Sequence, residues 1–145
     1  MTTRPSAQMR RDVFDRANGC CEYCLTHQSL SVATHQIDHV IAEKHGGETE
    51  IENLAVSCIT CNLRKASDIA SLDPETGDLV HLFNPRQQRW ETEFRLDGAC
   101  IVGITSIGRT TVTFLQLNTE ARIVERTAFI AAGVYPPDLE FRKPR

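Results

Sequence analysis

The chain lacks an apolar run long enough to cross a membrane; nothing approaches the ~18 consecutive apolar residues that a spanning helix needs. Met1 to Arg11 is polar and basic and holds no apolar stretch, so no secretory signal peptide is expected and a cytoplasmic protein is. Internal repeats and low-complexity tracts are absent, which argues against a repeat array. An excess of positive charge is also missing. The formal net charge is -3, which excludes a broadly basic nucleic-acid binder and leaves only local patches to serve that purpose. Arg4, Arg10, Arg11 and Arg16 form one such group, Arg64 with Lys65 a second, and Arg86, Arg89 and Arg95 a third. Each reads equally well as a solvated surface, apart from the Arg64–Lys65 pair.

What is present is ordinary globular material. Hydrophobic residues make up 41% of 145 and charged residues 24%, which suits one compact domain or a small domain with an appendage. The first half is short for a self-sufficient core and calls for a staple. Six cysteines supply a candidate. In a reducing cytosol thiols persist, so they read better as metal ligands than as disulfides.

Along the chain, Ser6 caps an expected helix that runs to about Ala17, with Met9, Val13 and Ala17 on one stripe. Asn18-Gly19 stops it. Val32 to Val40 and Leu54 to Ser57 read as strands, separated by His45-Gly46-Gly47, and Asn62 to about Ala70 reads as a helix. Asp73 to Gly77 is a turn and the expected boundary between residues 1–72 and residues 73–145. Beyond it, Leu79 to Phe83 is an expected strand, and Asp97-Gly98 signals a hairpin. Ile107 to Leu117 fits strand or helix, and Glu120 to Ala132 is a helix ended by Gly133. Trp90 reads as a packing anchor. His27, His35 and His81 carry no motif.

Two C-x2-C pairs stand out, Cys21/Cys24 and Cys58/Cys61. Four thiolates in two knuckles make the soft tetrahedral shell that structural zinc takes. One pair alone says little; two together are a strong signal. Cys20 in place of Cys21 would give the poorer C-x3-C spacing, and Cys100 reads as a core thiol. The gap from Cys24 to Cys58 is longer than a plain zinc ribbon needs. It contains Asp38-His39, His45-Gly46-Gly47 and Asn53-Leu54, and Cys61 is followed at once by Asn62 and then Arg64-Lys65. Phosphodiester cleavage asks for a base, a cation to neutralise developing charge, and a group that holds the base in the right tautomer. These residue types can supply all three.

From Arg16 to Lys65, through C-E-Y-C, D-H-V, G-G, N-L, C-I-T-C-N and K, the sequence resembles the HNH endonuclease family in the form where asparagine replaces the last histidine. The resemblance implies an α+β fold: a ββα-metal nuclease domain over residues 1–72, stapled by a four-cysteine zinc site, with a strand-rich extension over residues 73–145 that ends in helix. It implies DNA as partner, structural Zn2+ on Cys21, Cys24, Cys58 and Cys61, and a catalytic Mg2+ or Mn2+ on Asp38 and Asn62. His39 would be the general base. Asn53 would orient it, its backbone carbonyl accepting from the second ring nitrogen. Arg64, Lys65 and His45 are the expected phosphate contacts. No organic cofactor and no membrane are expected. A non-catalytic zinc module that binds nucleic acid or a protein partner would keep the four cysteines without needing Asp38, His39 and Asn62 together. A structural subunit of a larger complex, docking through the part from Leu79 onward, is the other alternative.

Overall fold

The computed structural model describes residues 3–138. Helix α1 (Ala7–Arg16) starts where the Ser6 hydroxyl accepts from the Met9 backbone N–H, a capping bond that satisfies one of the helix's orphan donors. Strands β1 (Gln36–His39) and β2 (Leu54–Ser57) pair antiparallel, with Asp38 opposite Ala55 and His39 opposite Leu54. Helix α1 lies against them, burying Val13 and Ala17 on Leu54 and Val56. Arg16 fastens this packing by donating to the carbonyls of Ile51 and Leu54.

The first strand is shorter than its sequence pattern predicts. Val32 is fully exposed and pairing begins only at Gln36, so the β-branched residues before it form a surface loop. Helix α2 (Ile59–Lys65) is displaced in the opposite sense from the expected Asn62 start. The Cys58 thiol acts as its N-cap, accepting from the Cys61 N–H, so the knuckle itself nucleates the helix. It ends at Ala66, whose φ of 47° departs from helical backbone.

Ala70–Leu72 is therefore strand β3, paired antiparallel with β4 (Leu79–His81), and Asp73 to Gly77 is the turn of that hairpin. Helix α3 (Trp90–Glu93) leads into a second hairpin, β5 (Phe94–Asp97) and β6 (Cys100–Gly103), at the Asp97-Gly98 position. The ambiguous segment is helix α4 (Ser106–Phe114), capped by the Thr105 hydroxyl. Gly103 and Gly108 let it approach β6 and α3 closely: a Cβ at Gly108 would stand 1.9 Å from the Glu93 carbonyl oxygen. Helix α5 (Glu120–Ala131) follows, capped by Thr119. The described residues thus form a mixed α+β fold with three two-stranded antiparallel sheets. No helix among them is long and apolar enough to cross a membrane.

One core joins the knuckles to the C-terminal half. Cys21, Tyr23, Cys24, Leu25, Cys58 and Cys61 are packed with Phe83, Trp90, Phe94, Ile101, Leu115, Leu117 and Tyr135. Ring pairs run through it, Tyr23 edge-on to Phe83 at 6.3 Å and Phe83 edge-on to Phe94 at 5.2 Å. Trp90 is buried, as its anchoring role requires, and its indole N–H donates to the Tyr23 carbonyl at 2.9 Å. The Tyr135 hydroxyl donates to the Cys24 carbonyl at 2.8 Å. Arg86 forms an ion pair with Glu22, whose other carboxylate oxygen accepts from the Val56 N–H. The first knuckle is therefore gripped from both halves of the chain.

Candidate metal centres and active site

The sulfur cluster comes first because it is the simplest. Cys21 and Cys24 sit on a tight turn in which the Cys24 N–H points at Cys21 Sγ, and Cys58 and Cys61 repeat that geometry at the start of α2. All four are buried, and their Sγ atoms lie within 4.8 Å of one another. Cys24 Sγ and Cys58 Sγ are 3.7 Å apart. A disulfide would need about 2.0 Å. Four sulfurs at about 2.3 Å from one tetrahedral ion would stand roughly 3.8 Å apart. The cluster therefore fits a shared zinc ion and does not fit a disulfide pair. Cys20 is buried outside the cluster, and Cys100 is half-buried at the start of β6.

The second constellation begins one residue beyond Cys61. Asp38, His39 and Asn62 line one cleft of about 290 Å³, together with Ile37, Ala42, Glu43, Ala66 and Ser67. Strand β1 delivers the aspartate and the histidine, and the knuckle-capped helix delivers the asparagine. Asp38 is largely buried. One of its oxygens, Oδ2, accepts from the Tyr23 hydroxyl at 3.1 Å and faces Lys65 Nζ at 3.0 Å. Burial pushes its carboxyl up, and the Lys65 ammonium and both hydrogen bonds pull the other way. His39 Nε2 lies 2.9 Å from the Thr49 hydroxyl and 3.8 Å from a Glu43 carboxylate oxygen. Thr3 bonds Glu43 through its backbone N–H and hydroxyl, and those bonds hold the Glu43 carboxyl below its ordinary range.

Residues 21–68 match the model of the HNH endonuclease family. The matched HNH segment spans both knuckles, Asp38, His39, Asn53 and Asn62 and leaves α1 and everything from β3 onward outside it. No curated protein and no solved structure matches the chain.

Within the HNH segment the expected residues are distributed unevenly. Asp38, His39 and Asn62 meet in the cleft; Asn53, Arg64, Lys65 and His45 do other things. The Asn53 carbonyl accepts from the Val40 N–H at 2.9 Å, and no bond joins it to the His39 ring among the described residues. Its side chain accepts from the Ile41 N–H and donates to the carbonyls of Ile41 and Glu48, clamping the loop between β1 and β2. Gly47 makes that clamp possible, since a Cβ there would stand 1.7 Å from the Ile41 carbonyl oxygen.

Lys65 departs from the expected phosphate contact. It is 2% exposed, and its ammonium is held by Asp38 and by the His39 carbonyl at 3.2 Å. An ammonium buried against a carboxylate is unavailable to an external phosphate. Arg64 is exposed, but it lines a separate groove beside Cys24, Cys58 and α5. His45 Nε2 lies 3.1 Å from the Ser67 carbonyl, on the rim of the loop and outside the cleft lining. Conversely, Tyr23, Thr49 and Glu43 were not singled out by the sequence. Tyr23 stands inside the C-E-Y-C knuckle, and that position was the one available signal for it. Thr49 lies beyond two glycines with nothing to mark it.

Proposed function

We propose that the HNH segment is a metal-dependent endodeoxyribonuclease, and that the observation carrying this reading is the meeting of Asp38, His39 and Asn62 in one cleft beside the sulfur cluster. Cys21, Cys24, Cys58 and Cys61 would hold structural Zn2+. Asp38, through the oxygen not taken by Lys65 and Tyr23, and Asn62 would hold a hard divalent ion such as Mg2+ or Mn2+. Oxygen donors suit such ions, and two protein ligands leave positions for water and phosphate. When bound, that ion would neutralise charge on the phosphate and the departing oxygen.

The protein's own groups do the rest. His39 Nε2 faces the Thr49 hydroxyl at 2.9 Å, and in this reading the ring would donate to it from that nitrogen. Nδ1 is then left with its lone pair, able to take a proton from water. Thr49 thus does what the resemblance assigns to the Asn53 carbonyl, while Asn53 fixes the loop that carries Thr49. With zinc bound, Cys61 would be fixed and would set the adjacent Asn62 on a rigid element. Cleavage by this route leaves 5′ phosphate and 3′ hydroxyl ends.

One observation favours the rival, a zinc module that binds nucleic acid or a partner protein without cutting. Lys65 already neutralises part of Asp38, as a permanent structural pair would. Supercoiled plasmid separates the two. The nuclease reading expects nicking or linearisation on adding Mg2+ or Mn2+ to zinc-loaded protein, slowed by Thr49→Val and restored by Thr49→Ser. A folded, zinc-loaded protein inert on DNA with either ion would favour the module.

A further inference from the structure

Each sulfur of the cluster has a polar partner of its own. Cys21 Sγ faces the Cys24 N–H at 3.5 Å, and Cys58 Sγ faces the Cys61 N–H at 3.4 Å. The Thr26 hydroxyl stands 3.3 Å from Cys24 Sγ. Those three partners are two or three residues from the sulfur they serve, as knuckle geometry dictates. The fourth comes from the other half of the chain: Arg122 Nη2 is 3.1 Å from Cys61 Sγ and 4.0 Å from Cys58 Sγ.

Four thiolates around one Zn2+ leave a net charge of about -2 in a buried place. Backbone N–H groups and a hydroxyl offer dipoles against that charge; among the described residues, Arg122 is the cation that reaches hydrogen-bond contact with a sulfur of the cluster. Its placement is specified. Arg122 lies in the first turn of α5, where its own N–H is bonded by the capping Thr119 hydroxyl at 3.3 Å. Its second guanidinium nitrogen donates to the Leu115 carbonyl at 3.4 Å, so the planar fork spans protein on one side and sulfur on the other.

We infer that Arg122 is the outer-shell counter-charge of the four-cysteine site, and that this bond makes the C-terminal half part of the metal site. Groups that hydrogen-bond metal ligands tune affinity, and losing one costs about 10–100-fold. Because Cys61 directly precedes Asn62, the same bond also braces the helix that enters the candidate cleft. The inference depends on the sulfur cluster holding zinc and is independent of whether the protein cuts DNA.

The test is the rate at which full-length, zinc-loaded protein surrenders its metal to a chromogenic chelator under native conditions, with thermal midpoints measured in parallel. Arg122→Met should release zinc at least tenfold faster than wild type. Arg126→Met is the control. Arg126 lies on the same helix and is buried, but it donates to the Ala99 and Leu117 carbonyls and to the Asn118 side chain, not to sulfur. It should lower the midpoint and leave zinc release near the wild-type rate. Release from folded Arg122→Met at the wild-type rate would overturn the inference. So would an equal acceleration in Arg126→Met, because then Arg122 would act only by docking α5. If Arg122→Met does not fold, Arg122→Gln answers the question. It keeps a polar donor and removes the charge, so release several-fold faster than wild type is expected, and a wild-type rate overturns the inference.

Discussion

The sulfur cluster and the Asp38–His39–Asn62 cleft are separated by one peptide bond, Cys61–Asn62, yet they are built in opposite ways. The cluster is closed: four like donors, all buried, with their outer partners drawn from backbone, hydroxyl and guanidinium groups. The cleft is open on one side and mixed in chemistry, and several of its polar atoms are already engaged by Tyr23, Lys65 and Thr49. A staple needs permanence, so every donor turns inward. The proposed reacting site would need free valence, and neighbours fix one side of Asp38 and His39.

Breaking the closed site should have the largest effect. Structural zinc contributes roughly 10 kcal/mol or more to folding in small domains, so Cys58→Ser should lose the metal and unfold the first half together with the core it shares. Circular dichroism and metal content measured on one sample would check this; a folded, metal-free protein would show that the staple is dispensable.

The open site should respond through its packing. Lys65→Met leaves the Asp38 carboxylate buried beside Tyr23 alone, and breaking such a pair costs roughly 3–5 kcal/mol. Asp38→Asn added to Lys65→Met should recover much of the loss in denaturant titrations. Equal loss in the single and double variants would mean that Lys65 matters for its packing, not its charge.

The smallest effect lies outside both centres. The Arg109 guanidinium beside Asp73 holds that carboxyl down to about 2 and so pins the β3–β4 turn onto α4. A carboxyl depressed in the folded state stabilises above its unfolded value of about 3.9, and that stabilisation is lost as pH falls toward the folded value. The thermal midpoint should therefore fall between about pH 4 and pH 2, and Arg109→Met should flatten that part of the curve. An unchanged slope in the variant would assign the acid sensitivity to other carboxylates.

How much was readable in advance follows the same division. The cysteine spacing is a local property, imposed by the turn that each knuckle must make, so it survives in the linear sequence. Asp38, His39 and Asn62 were recognisable because their neighbours carry the pattern. Thr49 and Tyr23 were not, since their roles arise only when β1, the following loop and the first knuckle come together. Lys65 misled because its type suits a phosphate, and only burial against Asp38 shows its charge to be spent internally. Helix α2 was misplaced because a thiol served as its cap, which propensity does not anticipate. Arg122, 61 residues from the sulfur it touches, left no local trace at all.

The central claim is that one ion holds the protein together while the histidine in the adjacent cleft drives cleavage. Plasmid nicking by His39→Ala, with bound zinc quantified in the same preparation, tests it most directly. The account predicts full zinc content, an unchanged fold and at least a ~100-fold loss of Mg2+-supported cutting. Cutting at the wild-type rate by that variant would contradict it.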